Sequence, residues 1–283
     1  MYPADDERIQ RAARLVSSAH AILVVAGAGI GVDSGLPDFR GQSGLWNAYP
    51  GLGRKKLCFS DIACPDAFYR DPTLAWGFYG HRLKLYRDTE PHVGFTILRR
   101  WMDQSLLAGA VFTTNVDGHF QKAGFDEKLL VEYHGSLHYM QCLNRCQSRI
   151  WSAEDFLPEV DEENCLLLSK LPRCPNCGGL ARPNVLMFDD ADWIAQRTLT
   201  QLHRLNDWLD EVNRLLIIEI GAGTSISTAR EFTHRIAFER SAPVIRINPD
   251  EPGIYGDHRH VSLAMGAKQA LCAIDQYLTS SPA

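Results

Sequence analysis

Long apolar runs are missing from this chain. No stretch approaches the roughly 20 consecutive apolar residues that cross a bilayer; the longest, Ala21 to Ala26 and Leu215 to Ile220, are far too short. The opening segment, MYPADDERIQRAARL, is acidic and then amphipathic, without the positive start and apolar core of a secretory signal. These absences predict a soluble, cytoplasmic protein with no membrane partner. An excess of basic charge is missing too. Lys and Arg number 29 against 34 Asp and Glu, a formal net charge of −5, and there is no lysine-rich tail. That balance argues against a nucleic-acid partner held on a broad basic face. Internal repeats, low-complexity tracts and long linkers are also absent. What remains is ordinary globular material: 283 residues, 45% hydrophobic and 22% charged, enough for a substantial core.

Short apolar runs suited to buried parallel strands recur at Ala21–Ala26, Ala110–Thr113, Leu129–Val131, Leu215–Ile220 and Pro243–Ile247. Between them lie segments of helical spacing: Asp5–Ala19, Val93–Leu107, Ile194–Val212, Ala229–Ala237 and Ala267–Tyr277. This alternation predicts an α/β fold, a doubly wound Rossmann-like parallel sheet. Two segments break it. Gly41–Glu90 is rich in aromatics, Gly and Pro, with a helix expected over Thr73–Leu85, and Tyr139–Ala181 holds paired cysteines and little periodicity. The expected division is therefore 1–41, 91–138 and 182–283 as the nucleotide-binding domain, with 42–90 and 139–181 as a smaller discontinuous lobe that is helical and zinc-binding.

Ala21–Ala26 runs directly into Gly27-Ala28-Gly29-Ile30-Gly31. A strand ending in close glycines lets backbone N–H groups and a helix N-terminus approach a pyrophosphate. The spacing is not G-x-G-x-x-G, and no acidic residue ends a second strand about 20 residues on. This argues against a hydride-transfer dehydrogenase and for another dinucleotide-using enzyme; a tight structural turn is the competing reading. The eight cysteines, in a reducing compartment, point to metal or catalysis before disulfides. Cys142-x3-Cys146 and Cys174-x2-Cys177 present two pairs of thiolates, which satisfy tetrahedral Zn²⁺ and leave no position open for water, so one structural ion per chain is expected.

Asp33-Ser-Gly-Leu-Pro-Asp-Phe-Arg-Gly41, followed by Gly44-Leu-Trp46, resembles the cofactor loop of the sirtuins, the NAD-dependent protein lysine deacylases. Thr113-Thr-Asn-Val-Asp117 resembles the family's T-Q-N-I-D segment, and Glu132-Tyr-His-Gly-Ser136 its H-G-S signature. The resemblance extends roughly from Leu23 to Asn248. It implies catalytic roles for His134 as general base and for Asn115 and Asp117 in orienting the nicotinamide. It implies that Gly27, Ala28, Gly29, Asp38, Phe39, Arg40, Thr114, Val116, Gly223, Thr224, Ser225 and Asn248, with those three, line the NAD site. Phe39 would shield a reactive sugar carbon from water, and Arg40 would bond phosphate or ribose oxygens.

Arg182–Phe188 resembles the family's substrate strand, on which an extended acyl-lysine protein or peptide is held by backbone hydrogen bonds, with Val185 and Phe188 facing it. Tyr79 and Arg82, three residues apart on one helical face, match the Tyr-x-x-Arg that grips succinyl- or malonyl-lysine in one subgroup; a half-buried Tyr beside a snorkelling Arg is the equal alternative. Several positions depart from the family pattern: Gly31 for Ser, Thr114 for Gln, His119-Phe120 for Leu-His, Phe188-Asp189-Asp190 for F-G-E, and an extra Gly221-Ala222 before Gly-Thr-Ser. The implied activity is NAD-dependent lysine deacylation that yields nicotinamide and O-acyl-ADP-ribose. ADP-ribosyl transfer or NAD hydrolysis in the same pocket, and a non-catalytic NAD-sensing module, are the alternatives.

Overall fold

The computed structural model describes residues 3–38, 41–107 and 109–280. Eleven strands are present among them: β1 (Ala21–Ala26), β2 (Ala110–Thr113), β3 (Leu130–Glu132), β4 (Gly135–Cys142), β5 (Trp151–Ser152), β6 (Val160–Asp161), β7 (Leu166–Leu167), β8 (Ala181–Val185), β9 (Leu215–Ile220), β10 (Val244–Ile247) and β11 (Val261–Leu263). Six form one sheet in the order β11-β10-β9-β1-β2-β3, with every pairing parallel. The chain winds outward from β1 through β2 to β3, then returns to the other side of β1 and winds outward again through β9, β10 and β11. β1 and β9 therefore flank the topological switch point, where open α/β sheets form their ligand crevice.

The apolar runs are strands because both sheet faces are covered. Along β1, Ile22 and Val24 enter a core closed by helices Pro3–Ser18, Val93–Gln104 and Ala267–Ser280, while Leu23 and Val25 enter another closed by Gln196–Glu211 and Thr228–Arg240. A third core gathers around helix Pro72–Asp88, with Trp76, Phe78 and Tyr79 fully buried. It carries a three-stranded antiparallel sheet, β5-β4-β8, and the small ribbon β6-β7.

Three features differ from the sequence expectation. β11 goes unmarked in the sequence because three residues, Val-Ser-Leu, give too short a pattern. The segment after β1 is not an α-helix but a 3₁₀ helix, Ala28–Ser34, closed by Gly35 at φ 91°; its glycines disfavour propagation of a regular helix. β4 is likewise unmarked in the sequence, and its Leu137 packs with Val185 of β8 into the third core. No helix among the described residues is long and apolar enough to cross a membrane.

Candidate functional site

At the switch point two glycine turns interlock backbone against backbone. Gly27 N donates to Ile220 O at 3.0 Å and Gly29 N to Gly221 O at 3.1 Å. Gly221 has φ 64°, and a Cβ there would lie 2.3 Å from Ile30 N; one on Gly27 would lie 2.7 Å from Gly221 O. The Gly221-Ala222 step that looked like an insertion is thus the counterpart of the first turn. Ala28 is exposed beside it. Beyond Ala222, Gly223, Thr224 and Ser225 form an open loop. Thr224 N and Oγ1 donate to the two carboxylate oxygens of Glu251, at 3.0 and 2.6 Å. Buried Asn248 donates from Nδ2 to Ala222 O at 2.9 Å and accepts from Glu251 N at 3.0 Å. Sequence reading passed over Glu251; its only signal was a position three residues after Asn248.

The loop after β2 joins the same rim. Thr114 N donates to Ala26 O at 3.0 Å, and Asn115 Nδ2 donates to Gly27 O at 3.1 Å. Asn115 N is itself held by Thr113 Oγ1 at 3.0 Å. Val116 O accepts from Leu137 N at 3.0 Å, tying this loop to β4. Asp117 is buried, and its Oδ1 accepts from His119 N at 2.9 Å.

His134 leaves the end of β3 half-buried, and the neighbouring Tyr133 N donates to Thr113 O at 2.8 Å. Desolvation lowers the His134 pKa, and the Thr114 backbone opposes that only in part. The turn is fixed by Leu186 N donating to His134 O at 2.9 Å and by Gly135 at φ 80°, where a Cβ would lie 2.2 Å from Asn184 O. Gly27, Thr114 and Asn115 are therefore joined in one bonded arc at the carboxyl ends of β1 and β2, and the Tyr133–Thr113 bond sets His134 alongside it at the end of β3. Asp38 is half-buried, whereas Phe39 and Arg40 lie outside the described residues. The His119-Phe120 departure is a packing feature: both rings meet Phe95, at centroid distances of 5.9 and 5.1 Å.

At the opposite end, Tyr79 and Arg82 share one face of helix Pro72–Asp88, and both are buried. Arg82 Nε and one terminal nitrogen donate to Tyr86 Oη at 2.9 and 2.7 Å. Its guanidinium carbon stands 5.3, 5.9 and 5.4 Å from the Phe78, Tyr79 and Tyr86 ring centroids. Burial raises the Tyr79 pKa, keeping that phenol protonated. Edge contacts continue from Phe78 through Phe59 to Phe188, at 6.2 and 5.8 Å. β8 bearing Val185 is an edge strand, paired with β4 on one side.

The loop that follows β8 explains another departure. Asp189 occupies the left-handed region at φ 54°, which Asp tolerates better than most side chains. Asp190 is fully buried in a two-pronged ion pair with Arg182, at 2.6 and 2.7 Å.

Cys142, Cys146, Cys174 and Cys177 offer four sulfurs all within 4.8 Å of one another. The sulfurs of Cys142 and Cys177 stand 3.7 Å apart, and those of Cys146 and Cys174 3.6 Å. A disulfide would need about 2.05 Å. Four sulfurs each ~2.3 Å from a tetrahedral Zn²⁺ are separated by roughly 3.8 Å, so the cluster fits that ion. Gly179 N and Asn176 Nδ2 each approach a cluster sulfur at 3.4 Å, donors that suit thiolates.

Residues 27–228 match the Sir2 family. Similar proteins named NAD-dependent protein deacylase include one from Pyrococcus furiosus, 31% identical over 241 residues and covering 85% of this chain and 86% of that one. Another, from Aeropyrum pernix, is 31% identical over 264 residues, covering 92% and 94%. Among solved structures, a Sir2 homologue–NAD complex superposes with a TM-score of 0.72 at 24% identity, over 95% of this chain and 94% of that one. A Sir2 homologue in complex with ADP-ribose gives 0.71 at 24% identity, over 96% and 99%. At such identities these two likenesses concern the fold.

Proposed function

The chain belongs to the Sir2 family, and from that premise we propose that it is an NAD-dependent protein lysine deacylase. The observation that carries the reading is the bonded arc of Asn115, Thr114 and the β1 glycine turn, with His134 set beside it at the end of β3 by the Tyr133–Thr113 bond. In the proposed reaction, acyl-lysine, NAD and water give free lysine, nicotinamide and O-acyl-ADP-ribose. The acyl oxygen displaces nicotinamide from the ribose, through a transition state with oxocarbenium character.

Asn115 and Asp117 orient the carboxamide and a ribose hydroxyl or water. Gly27, Ala28 and Gly29, with Gly223, Thr224 and Ser225, receive the phosphates, and Asn248 the adenosine ribose. Asp38, Phe39, Arg40, Thr114 and Val116 complete the dinucleotide site. His134 accepts the proton of a ribose hydroxyl, freeing that oxygen to take the acyl group. Desolvation keeps its imidazole neutral near pH 7, the form a base requires. Cys142, Cys146, Cys174 and Cys177 would hold a structural Zn²⁺, and a site of four thiolates suits the reducing cytoplasm.

The substrate is an acylated protein or peptide lying along the edge of β8, with Val185 and Phe188 beside its lysine. For the acyl group we favour acidic chains as well as acetyl. A buried cation ringed by tyrosines supports this, since a distal carboxylate would gain charge-assisted bonds in a low-dielectric setting.

The test is incubation with NAD and a panel of acetyl-, succinyl- and malonyl-lysine peptides, followed by mass spectrometry. Peptide-dependent nicotinamide release with O-acyl-ADP-ribose is expected. Nicotinamide released equally without peptide, or ADP-ribose appearing on an acceptor, would overturn the reading in favour of hydrolysis or ADP-ribosyl transfer. Arg82→Met should depress succinyl and malonyl turnover well below acetyl turnover; equal loss on all three would remove the carboxylate-reading role.

A further inference from the structure

Glu132, the last residue of β3, is 1% exposed and sits two residues before His134. Three of its four polar atoms are engaged by one turn of helix Gln196–Glu211, and Oε1 is left without a hydrogen-bond partner. Its backbone N donates to Gln201 Oε1 at 3.1 Å, its backbone O accepts from Thr198 Oγ1 at 3.0 Å, and its Oε2 accepts from Arg197 at 2.5 Å. Arg197 is in turn fixed over the Tyr139 ring of β4, at 4.5 Å. Burial raises the Glu132 pKa, and the Arg197 guanidinium opposes that.

Glu132 thus pins the chain just before His134 to a helix, and its partner Arg197 reaches β4 beyond the turn at Tyr139, so one ion pair spans the His134 turn. Packing alone does not ask for this: an apolar side chain would fill the space without the cost of a desolvated charge.

We propose that Glu132, held by Arg197, is a positioning residue that sets the His134 imidazole against the ribose hydroxyl. The inference rests on the deacylase reading. It predicts a selective defect, because His134 acts after the nicotinamide bond has broken. Misplacement of a catalytic group by about 1 Å can cost on the order of 10²-fold.

The experiment compares Glu132→Gln, Arg197→Met and Arg197→Lys with the wild type in two assays. One follows O-acyl-ADP-ribose formation; the other follows exchange of labelled nicotinamide into NAD in the presence of acyl peptide. Glu132→Gln and Arg197→Met should lose on the order of 10²-fold in product formation and keep exchange within about twofold. Arg197→Lys, which retains the charge, should recover part of the loss. Exchange and product falling in parallel, or neither changing, would overturn the proposal. Arg197→Met decides the question should Glu132→Gln fail to fold. A wild type with no peptide-dependent product would instead overturn the deacylase reading itself.

Discussion

Desolvation at the rim lowers the pKa of His134 below its ordinary value of 6.5, against the pull of the Thr114 backbone. A base is active when unprotonated, so a lowered pKa keeps it working into mildly acidic solution. The acid limb of the kcat/KM profile for O-acyl-ADP-ribose formation is therefore expected to fall with a midpoint below 6.5, and His134→Ala should abolish that product while NAD still binds. A midpoint above the ordinary value, or an active His134→Ala, would remove the assignment. Asp190 makes a different kind of prediction. It and Arg182 are a fully buried pair, so Asp190→Ala leaves a guanidinium without its counter-charge. Denaturant unfolding should show a loss of about 3–5 kcal/mol; a change within experimental error would mean that water reaches Arg182. The side chains expected to touch ligand were legible in the sequence because their chemistry is carried by short contiguous motifs. Glu132, Glu251 and Asp190 were not, since a carboxylate gains meaning only from its partner. For Glu132 that partner lies 65 residues away.

At the level of elements, legibility followed burial. β1 is apolar on both faces and β9 is apolar at every position but Glu219, which is buried against Arg246; the observed ends of both coincide with the sequence runs. β4 was missed because Gly-Ser-Leu-His-Tyr-Met-Gln-Cys mixes polar and apolar residues without a clean alternation, and its register with β8 shifts between Ser136 and Met140. The glycine-rich turn after β1 was recognised, but part of its cause was not visible. Its glycines are required by a second turn nearly 200 residues on, as well as by any phosphate, because Gly27 and Gly29 touch the backbone of Gly221. Gly221→Ala should therefore be severe. The left-handed φ alone costs about 1–2 kcal/mol, and the added Cβ would sit 2.3 Å from Ile30 N, backbone that cannot swing aside. Lowered thermal stability together with weakened NAD binding is expected. Wild-type melting and NAD affinity would show that the two turns separate at little cost.

Across the whole molecule, β4 connects two centres that the sequence presents as separate motifs. It begins at Gly135, beside His134, and ends at Cys142 in the sulfur cluster. Its eight residues span roughly 23 Å at ~3.3 Å per step. Paired on both sides by β5 and β8, it is the rigid link between the metal lobe and the proposed base. A structural ion should therefore matter to chemistry it never touches. Elemental analysis is expected to find about one Zn²⁺ per chain. Chelation should loosen the β5-β4-β8 sheet first, because its own core is separate from the two that cover the parallel sheet. Hydrogen exchange should accordingly rise across residues 135–185 well before it rises in β1 and β9, with O-acyl-ADP-ribose formation lost in step. Metal-free protein that keeps both its protection in β4 and its turnover would show that the lobe folds, and His134 stays aligned, without the ion.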